Sequence, residues 1–590
     1  MAFTIPAATQ AIVDEYEASN LPTVDYEIAD RFGNVLRRED LSPDERKGAW
    51  AESTPFQLTQ APDSPWGTYY GPIAVLTNPD GTPSYVPDLG EVDNEIVEHW
   101  ETRAQTLINP VLRARYADVV WDVKKKTTGK SPAITFAHCA IDAYLDGVAA
   151  SGYKEPLTHS IQAGRRALEL ALSIGDAERT KRSREALLGL FDQSLKPLHI
   201  GAWAMAYDAL VESKKTGLTK EETARLIAGL EQMLSECSKS GEHFDPFGAE
   251  AAARRLASHY ERKGKKEDAH RVIRTYGGAF EQISLEANSA LAMGWLQPVH
   301  DEFKNRGMNE DAERVMTILA ERGKTVASDL KQIRAPVELK EEEVRQLIDN
   351  LTQGSARDAL LRIARELIPK TGKIKAMLQE LLTRTPLMAR IGITRIVDGR
   401  FAAQAGSIED DPEGRLIMQL AQHIDFYNFF LSQTLEHLRK TADITTDVIV
   451  SVLYESPVFA PDRRPLLEEG VAAYLSGDHV KAIHVLLPQI EQALRELLSL
   501  MGVPTLKAGR NGTVQVKNLN DILREPAIKQ ALGDDVRLYL QTFLADERGQ
   551  NIRNIVCHGL ASPSLFNYRL ADQTLHALLT VSLVRAKESS

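Results

Sequence analysis

Near the C-terminus, an arginine and a histidine stand five positions apart in the segment RNIVCHG, as Arg553 and His558. An imidazole has an ordinary pKa of about 6.5, so it exchanges protons around neutral pH. A guanidinium stays protonated, and its planar fork matches two oxygens of a phosphate. The two groups therefore suit acid–base chemistry beside an anion. The spacing alone is not specific, because Arg254 and His259 repeat it elsewhere in the chain.

The residues around this pair indicate how it is positioned. On a regular helix, side chains five residues apart point about 140° away from each other. The pair can therefore act together only if Arg553 lies at a helix start or its long side chain wraps round the helix. Gly549 and Asn551 are able to start a helix there, and Asn554 could cap it.

A second polar group is predicted on a long helix upstream. Residues 464–501 have the pattern of a short helix, a turn at residues 476–478 and a long helix. On a helical wheel His484, Glu491 and Arg495 form one narrow polar line that borders a leucine-rich face. A glutamate and an arginine four residues apart are also common as a simple surface ion pair, and this interpretation stays open for the helix taken alone.

This combination of segments resembles the HEPN superfamily of four- to five-helix domains. Its ribonuclease members carry Arg-x(4–6)-His, commonly with a polar residue such as Asn554 after the arginine. HVLLPQIEQALRELL and GQNIRNIVCHGL are similar to the HEPN family that includes the endoplasmic-reticulum-membrane-associated RNA-degradation protein of animals. This likeness covers about residues 460–586. WGTYYGP and NPVLRARYADVVWD, within about residues 50–130, resemble the N-terminal module of bacterial proteins of that sort.

The resemblance implies a metal-independent endoribonuclease that needs no cofactor. In such a reaction the 2′-hydroxyl of RNA attacks the neighbouring phosphorus, which requires a proton-transfer group and a cation for the phosphorane. His558 is expected to be the general base or acid, Arg553 to hold the phosphate, and Asn554 to complete the motif.

The resemblance also implies a homodimer in which two motifs face each other across one RNA-binding cleft. We expect Glu491 to orient Arg553 or His558 by a charge-assisted hydrogen bond. Arg495 is expected to add a second phosphate contact, and His484 is a further candidate for RNA binding. Two alternatives remain: a structural network between helices, or a HEPN module that only dimerises or binds nucleotide or RNA.

The rest of the chain is predicted to be mostly α-helical. The exception is a β-hairpin near residues 68–87, where NPDG supplies the turn. YERKGKKEDAHRV, from Tyr260, is repeated as FKNRGMNEDAERV, from Phe303, which predicts two helical hairpins in a solenoid-like region. Such a region either binds a protein partner or serves helix packing alone.

These patterns predict four regions. They are an acidic N-terminal module with the hairpin at 1–130, a helical repeat-like region at 131–335, a helical connector at 336–455 and a HEPN-like bundle at 456–590. All of the net charge of −12 comes from the first 120 residues, which argues against indiscriminate RNA binding.

The composition also indicates where the protein acts. Three widely separated cysteines, and no run of about 18 apolar residues, predict a cytoplasmic protein that is not embedded in a membrane. By analogy with toxins and antiphage effectors of the superfamily, a role in defence is expected.

Overall fold

The structure is a computed structural model that describes residues 3–19, 22–78, 80–154, 157–196, 201–329, 331, 338–397, 400–509 and 513–586. It divides into two compact units, Met1–Leu319 and Ala320–Ser590. The chain is mostly helical with small two-stranded antiparallel sheets, which confirms the predicted fold class. The finer boundaries at residues 130, 335 and 455 stay predictions.

The first unit is built from successive helices and two small sheets. Its helices are α1 (Ala7–Ala18), α2 (Asp25–Leu36), α3 (Pro43–Gln57), α4 (Asn94–Thr106), α5 (Pro110–Thr128), α6 (Ile134–Ala149), α7 (Thr158–Ile174), α8 (Ala177–Ser194), α9 (Ala202–Val211), α10 (Lys220–Ser238), α11 (Pro246–Arg262), α12 (Lys266–Ser284), α13 (Ser289–Asn305) and α14 (Asn309–Gly323), the last of which crosses the boundary between the units. Its strands are β1 (Thr59–Gln60), β2 (Tyr70–Gly71), β3 (Ala74–Thr77) and β4 (Pro83–Val86).

The predicted hairpin in this unit is confirmed. β3 and β4 pair antiparallel from Ala74 opposite Val86 to Thr77 opposite Pro83. Gly81 has a φ of 84°, and its N–H donates to the Asn78 carbonyl at 2.9 Å. The turn forms because glycine adopts this left-handed conformation without steric cost.

The internal repeat forms two helical hairpins, as predicted. The aligned Gly264 and Gly307 have φ values of 70° and 72° and end α11 and α13. The aligned alanines, Ala269 and Ala312, are buried where the next helix begins. Helices α10, α11 and α12 each pack on the following helix, so the region is solenoid-like.

The second unit is a helical bundle with two hairpins on it. Its helices are α15 (Val326–Asp329), α16 (Glu341–Thr352), α17 (Ala356–Glu366), α18 (Thr371–Arg384), α19 (Pro386–Arg390), α20 (Pro412–Thr441), α21 (Thr446–Leu453), α22 (Arg464–Leu475), α23 (His479–Leu500), α24 (Leu519–Leu523), α25 (Pro526–Leu544), α26 (Ile552–Cys557) and α27 (Tyr568–Val581). Its strands are β5 (Ile393–Val397), β6 (Arg400–Ala405), β7 (Leu506–Ala508) and β8 (Val514–Val516).

Helix α23 is central to this bundle because it packs on α22, α25, α26 and α27. The leucine-rich face predicted from sequence is buried, including Leu487, Leu494 and Leu498. Burial of such a stripe fixes the rotation of the helix, and with it the direction of the polar line on its edge. Helices before and after residue 455 contribute to this same core. No helix in the described residues is long and apolar enough to cross a bilayer.

Candidate functional site

The predicted pair lies on α26, a helix of only six residues. Arg553 is its second residue, and His558 follows its last. Arg553 therefore lies at a helix start, which is one of the two arrangements in which the sequence allows Arg553 and His558 to act together. Asn551 precedes the helix with a φ of 54°, a left-handed conformation that asparagine adopts more readily than most residues. Arg553, Asn554 and His558 all line one cleft.

Asn554 does not cap the helix, which corrects that prediction. It lies inside α26 because Asn551 occupies the capping position. Its side-chain amide donates to Asn551 Oδ1 at 2.7 Å, and its Oδ1 accepts from Arg553 Nη1 at 3.0 Å. Asn554 therefore connects the residue that starts the helix with the guanidinium.

Glu491 holds the arginine, as the polar line on α23 predicted. Arg553 Nε donates to Glu491 Oε2 at 2.9 Å, and Arg495 Nη2 donates to Oε1 of the same carboxylate at 2.7 Å. Glu491 is buried, with 9% of its surface exposed, so this hydrogen bond is partly shielded from water. The carboxylate fixes the Nε side of the Arg553 guanidinium. Within the described residues, Nη2 of Arg553 makes no hydrogen bond.

The structure does not bring the whole polar line to the cleft. Arg495 is bound to Glu491 and to Gln492, and is not among the residues that line the cleft. His484 lies two helical turns from Glu491, where its ring stacks on Phe566 with centroids 4.8 Å apart. An RNA contact by either residue therefore remains a prediction that this cleft does not support.

The cleft has a volume of about 480 Å³ and a polar lining. One wall is the β5–β6 hairpin, which contributes Arg395, Val397 and Ala402, and Leu560 also lines the cleft. The remaining lining is rich in side-chain amides, and its residues are Asn518, Leu519, Asn520, Glu547, Asn551, Arg553, Asn554, Ile555 and His558.

Arg395 was missed by the sequence analysis. It lies about 160 positions before Arg553, and no periodic pattern connects the two. The available signal was the Asp-Gly dipeptide at residues 398–399, which follows the β-branched run Ile393–Val397 and is typical of a hairpin turn. This signal predicts that a hairpin forms, but it does not predict that the hairpin packs beside α26.

The chemistry of the cleft rests on the imidazole. His558 is exposed, so its ring is accessible to a ligand. Burial raises the pKa of the neighbouring Cys557 thiol, an effect that Glu491 reinforces and Arg553 opposes. The thiol is therefore mostly protonated at neutral pH and is a poor nucleophile. In the described residues, no three His, Cys, Asp or Glu side chains form a group that could hold a metal ion.

The comparisons with known proteins concern the other unit. Residues 69–183 match a family described as a domain of unknown function (DUF7380). This segment begins between β1 and β3 and ends within α8, and it contains the buried Asp118 carboxylate bound to Arg166. Searches of curated proteins and of solved structures find no match. The chain is thus similar to this family over the segment from Tyr69 to Ser183.

Proposed function

We propose that the chain is a metal-independent endoribonuclease whose reaction takes place in the C-terminal cleft. The observation that carries the proposal is that Arg553 and His558 line the same cleft from the two ends of α26. The resemblance of this segment to HEPN ribonucleases supports it. The match at residues 69–183 has no bearing on it, because that segment lies in the first unit.

In the proposed reaction the ribose 2′-oxygen forms a bond to the phosphorus as the bond to the 5′-oxygen breaks. The products are a 2′,3′-cyclic phosphate and a 5′-hydroxyl. His558 accepts the proton of the 2′-hydroxyl or donates a proton to the leaving 5′-oxygen. Arg553 stabilises the phosphorane through Nη2, while Glu491 holds Nε. In a homodimer, the imidazole of a second copy supplies the other proton transfer.

The test is cleavage of a mixed RNA in the presence of a chelator. The parent should cut and leave cyclic phosphate ends. His558→Ala and Arg553→Ala should each lower the rate by about 100-fold or more, because each removes a group that acts in the transition state. DNA of the same sequence should stay intact, because it lacks the attacking hydroxyl.

The chain offers a matched control in its second Arg-x4-His pair. Arg254 forms ion pairs with Glu250 and Glu302, and His259 packs edge-on to Tyr260, all in the first unit. His259→Ala should therefore cut RNA at the parental rate. If the folded parent leaves RNA uncut, the alternative is favoured: a non-catalytic helical scaffold whose C-terminal module dimerises or binds RNA.

The proposal also includes the cellular location and the biological role of the protein. We place the protein in the cytoplasm, since its cysteines are few and scattered. A role as a toxin or antiphage effector is supported only by analogy with HEPN proteins. Arrest of growth on expression of the parent, with no arrest by His558→Ala, would support that role.

A further inference from the structure

The β5–β6 hairpin carries an arginine into the wall of the cleft. Arg395 lies in the middle of β5 and lines the same space as Arg553 and His558. The pairing of the two strands shifts between Arg395 and Ile396, so that Ala402 is left without an opposite residue. An irregularity of this kind bends the strand and redirects side chains, and it is frequent beside functional sites.

The charge of Arg395 is poorly compensated. Its Nη1 donates to the backbone carbonyl of Glu547 at 3.1 Å, and no carboxylate within the described residues forms an ion pair with it. Burial lowers the pKa of its guanidinium, and Asp425 offsets this only in part. The group nevertheless stays charged, because a guanidinium does not lose its proton in proteins.

The other arginines around the cleft differ in this respect. Arg553, which also lines the cleft, is bound to Glu491 at 2.9 Å, and Arg548, which follows the lining residue Glu547 but is not itself in the lining, is bound to Asp546 at 2.9 Å. A half-buried cation without a carboxylate is unfavourable in the free protein, and an anion in the cleft would relieve this cost. Among the described residues, the lining contains one carboxylate, that of the exposed Glu547, against the guanidinia of Arg395 and Arg553.

We infer that Arg395 is an RNA-binding residue that holds a phosphate of the bound strand beside the phosphate held by Arg553. The ligand class is single-stranded RNA, since two guanidinia suit successive phosphodiesters. The side-chain amide of Asn520, and the amide nitrogen of Asn518 whose Oδ1 caps α24, can form hydrogen bonds with the sugar and base. This inference deepens the proposed function and rests on the same cleft.

The test is binding of a 2′-O-methyl RNA of eight nucleotides, which cannot be cut, over a range of salt concentrations. Arg395→Gln should weaken binding by about 10-fold and reduce the salt dependence by about one phosphate contact. Arg395→Lys should keep the salt dependence and lose part of the affinity, because it retains the charge without the planar fork.

Arg390→Gln is the matched control. It removes the same charge five positions away, where the Arg390 side chain is 73% exposed and outside the cleft lining. It should change binding by less than about twofold. Equal binding by Arg395→Gln and Arg390→Gln, or no binding by the parent, would overturn the inference.

The binding test is separable from the test of cleavage. Weakened binding by Arg395→Gln with a parent that cuts no RNA supports the phosphate contact and rejects the nuclease. Cleavage by the parent with unchanged binding by Arg395→Gln supports the nuclease and rejects the contact. If Arg395→Gln does not fold, Arg395→Lys tests the inference in its place. Binding of RNA by this variant with the affinity of the parent would contradict a bidentate contact between Arg395 and a phosphate.

Discussion

At the scale of single residues, the candidate site depends on the carboxylate of Glu491. It accepts from Arg553 and Arg495, so Glu491→Gln leaves two partly buried guanidinia with one amide between them. We expect the free energy of unfolding to fall by about 2 kcal/mol, because removing the anion from a shielded pair leaves cations uncompensated. Urea unfolding measures this loss, and the rate of RNA cleavage should fall in parallel.

Glu496→Gln is the control for this change. Glu496 lies on the same helix, and its side chain forms no ion pair within the described residues. Its substitution should alter the unfolding free energy by less than about 0.5 kcal/mol. Equal stability of the two variants would show that Glu491 does not hold Arg553 in solution.

A second residue is expected to make the stability of the protein dependent on pH. His576 is buried in α27, accepts from Tyr539 at Nδ1 and donates from Nε2 to the Ile363 carbonyl. Burial lowers its pKa to about 4, so the folded state keeps the ring neutral. In the unfolded chain the ring takes up a proton below about 6.5, so this stabilisation is present above that pH and is lost as the pH falls towards 4.

Urea unfolding at pH 7 and pH 5 tests this assignment. Between these values the parent should lose about 2 kcal/mol through His576, and His576→Gln, which cannot titrate, should not show that part of the loss. The comparison uses the change between the two pH values, so a general destabilisation by the substitution cancels. An identical pH dependence in the two proteins would contradict a buried neutral ring.

At the scale of secondary-structure elements, the sequence predicts the features that depend on residues close together in the chain. The helical hairpins were predictable because Gly264 and Gly307 mark turns within a few residues of the helices that they join. The β7–β8 hairpin is local as well, because the Asn-Gly dipeptide at residues 511–512 of the sequence is a hairpin signal. Arg395 could not be placed beside His558 from sequence, because packing in three dimensions, and not local pattern, brings β5 to α26.

Two glycines in one hairpin provide a test of this local interpretation. Gly307 has a φ of 72° with open space around it, and Gly294 lies inside α13, also with open space and without a positive φ. Gly307→Ala should destabilise the protein by about 1 kcal/mol through backbone strain alone. Gly294→Ala should stabilise it by up to about 1 kcal/mol, because alanine favours the helix. Thermal unfolding should therefore shift in opposite directions, and a shift in the same direction would contradict the turn at Gly307.

At the scale of the whole molecule, net charge limits how RNA can be bound. The chain carries 82 acidic and 70 basic residues, so long-range attraction to a polyanion is absent. The proposed RNA binding must therefore come from the cations of the cleft at short range, among them Arg395 and Arg553. This is consistent with a selective nuclease that acts on few RNAs, and not with a protein that coats any RNA it meets.

At the same scale, we expect the active form to be a homodimer, as the HEPN resemblance implies. Among the described residues, one cleft offers one imidazole, whereas the proposed reaction needs a proton accepted from the 2′-oxygen and another donated to the 5′-oxygen. Light scattering should give twice the chain mass of 65.4 kDa, and cleavage per chain should fall on dilution below the dimer dissociation constant. His558→Ala should keep the dimer mass, which separates assembly from chemistry. Cleavage by a species of 65.4 kDa would show that a single copy supplies both proton transfers and would remove the need for a shared cleft.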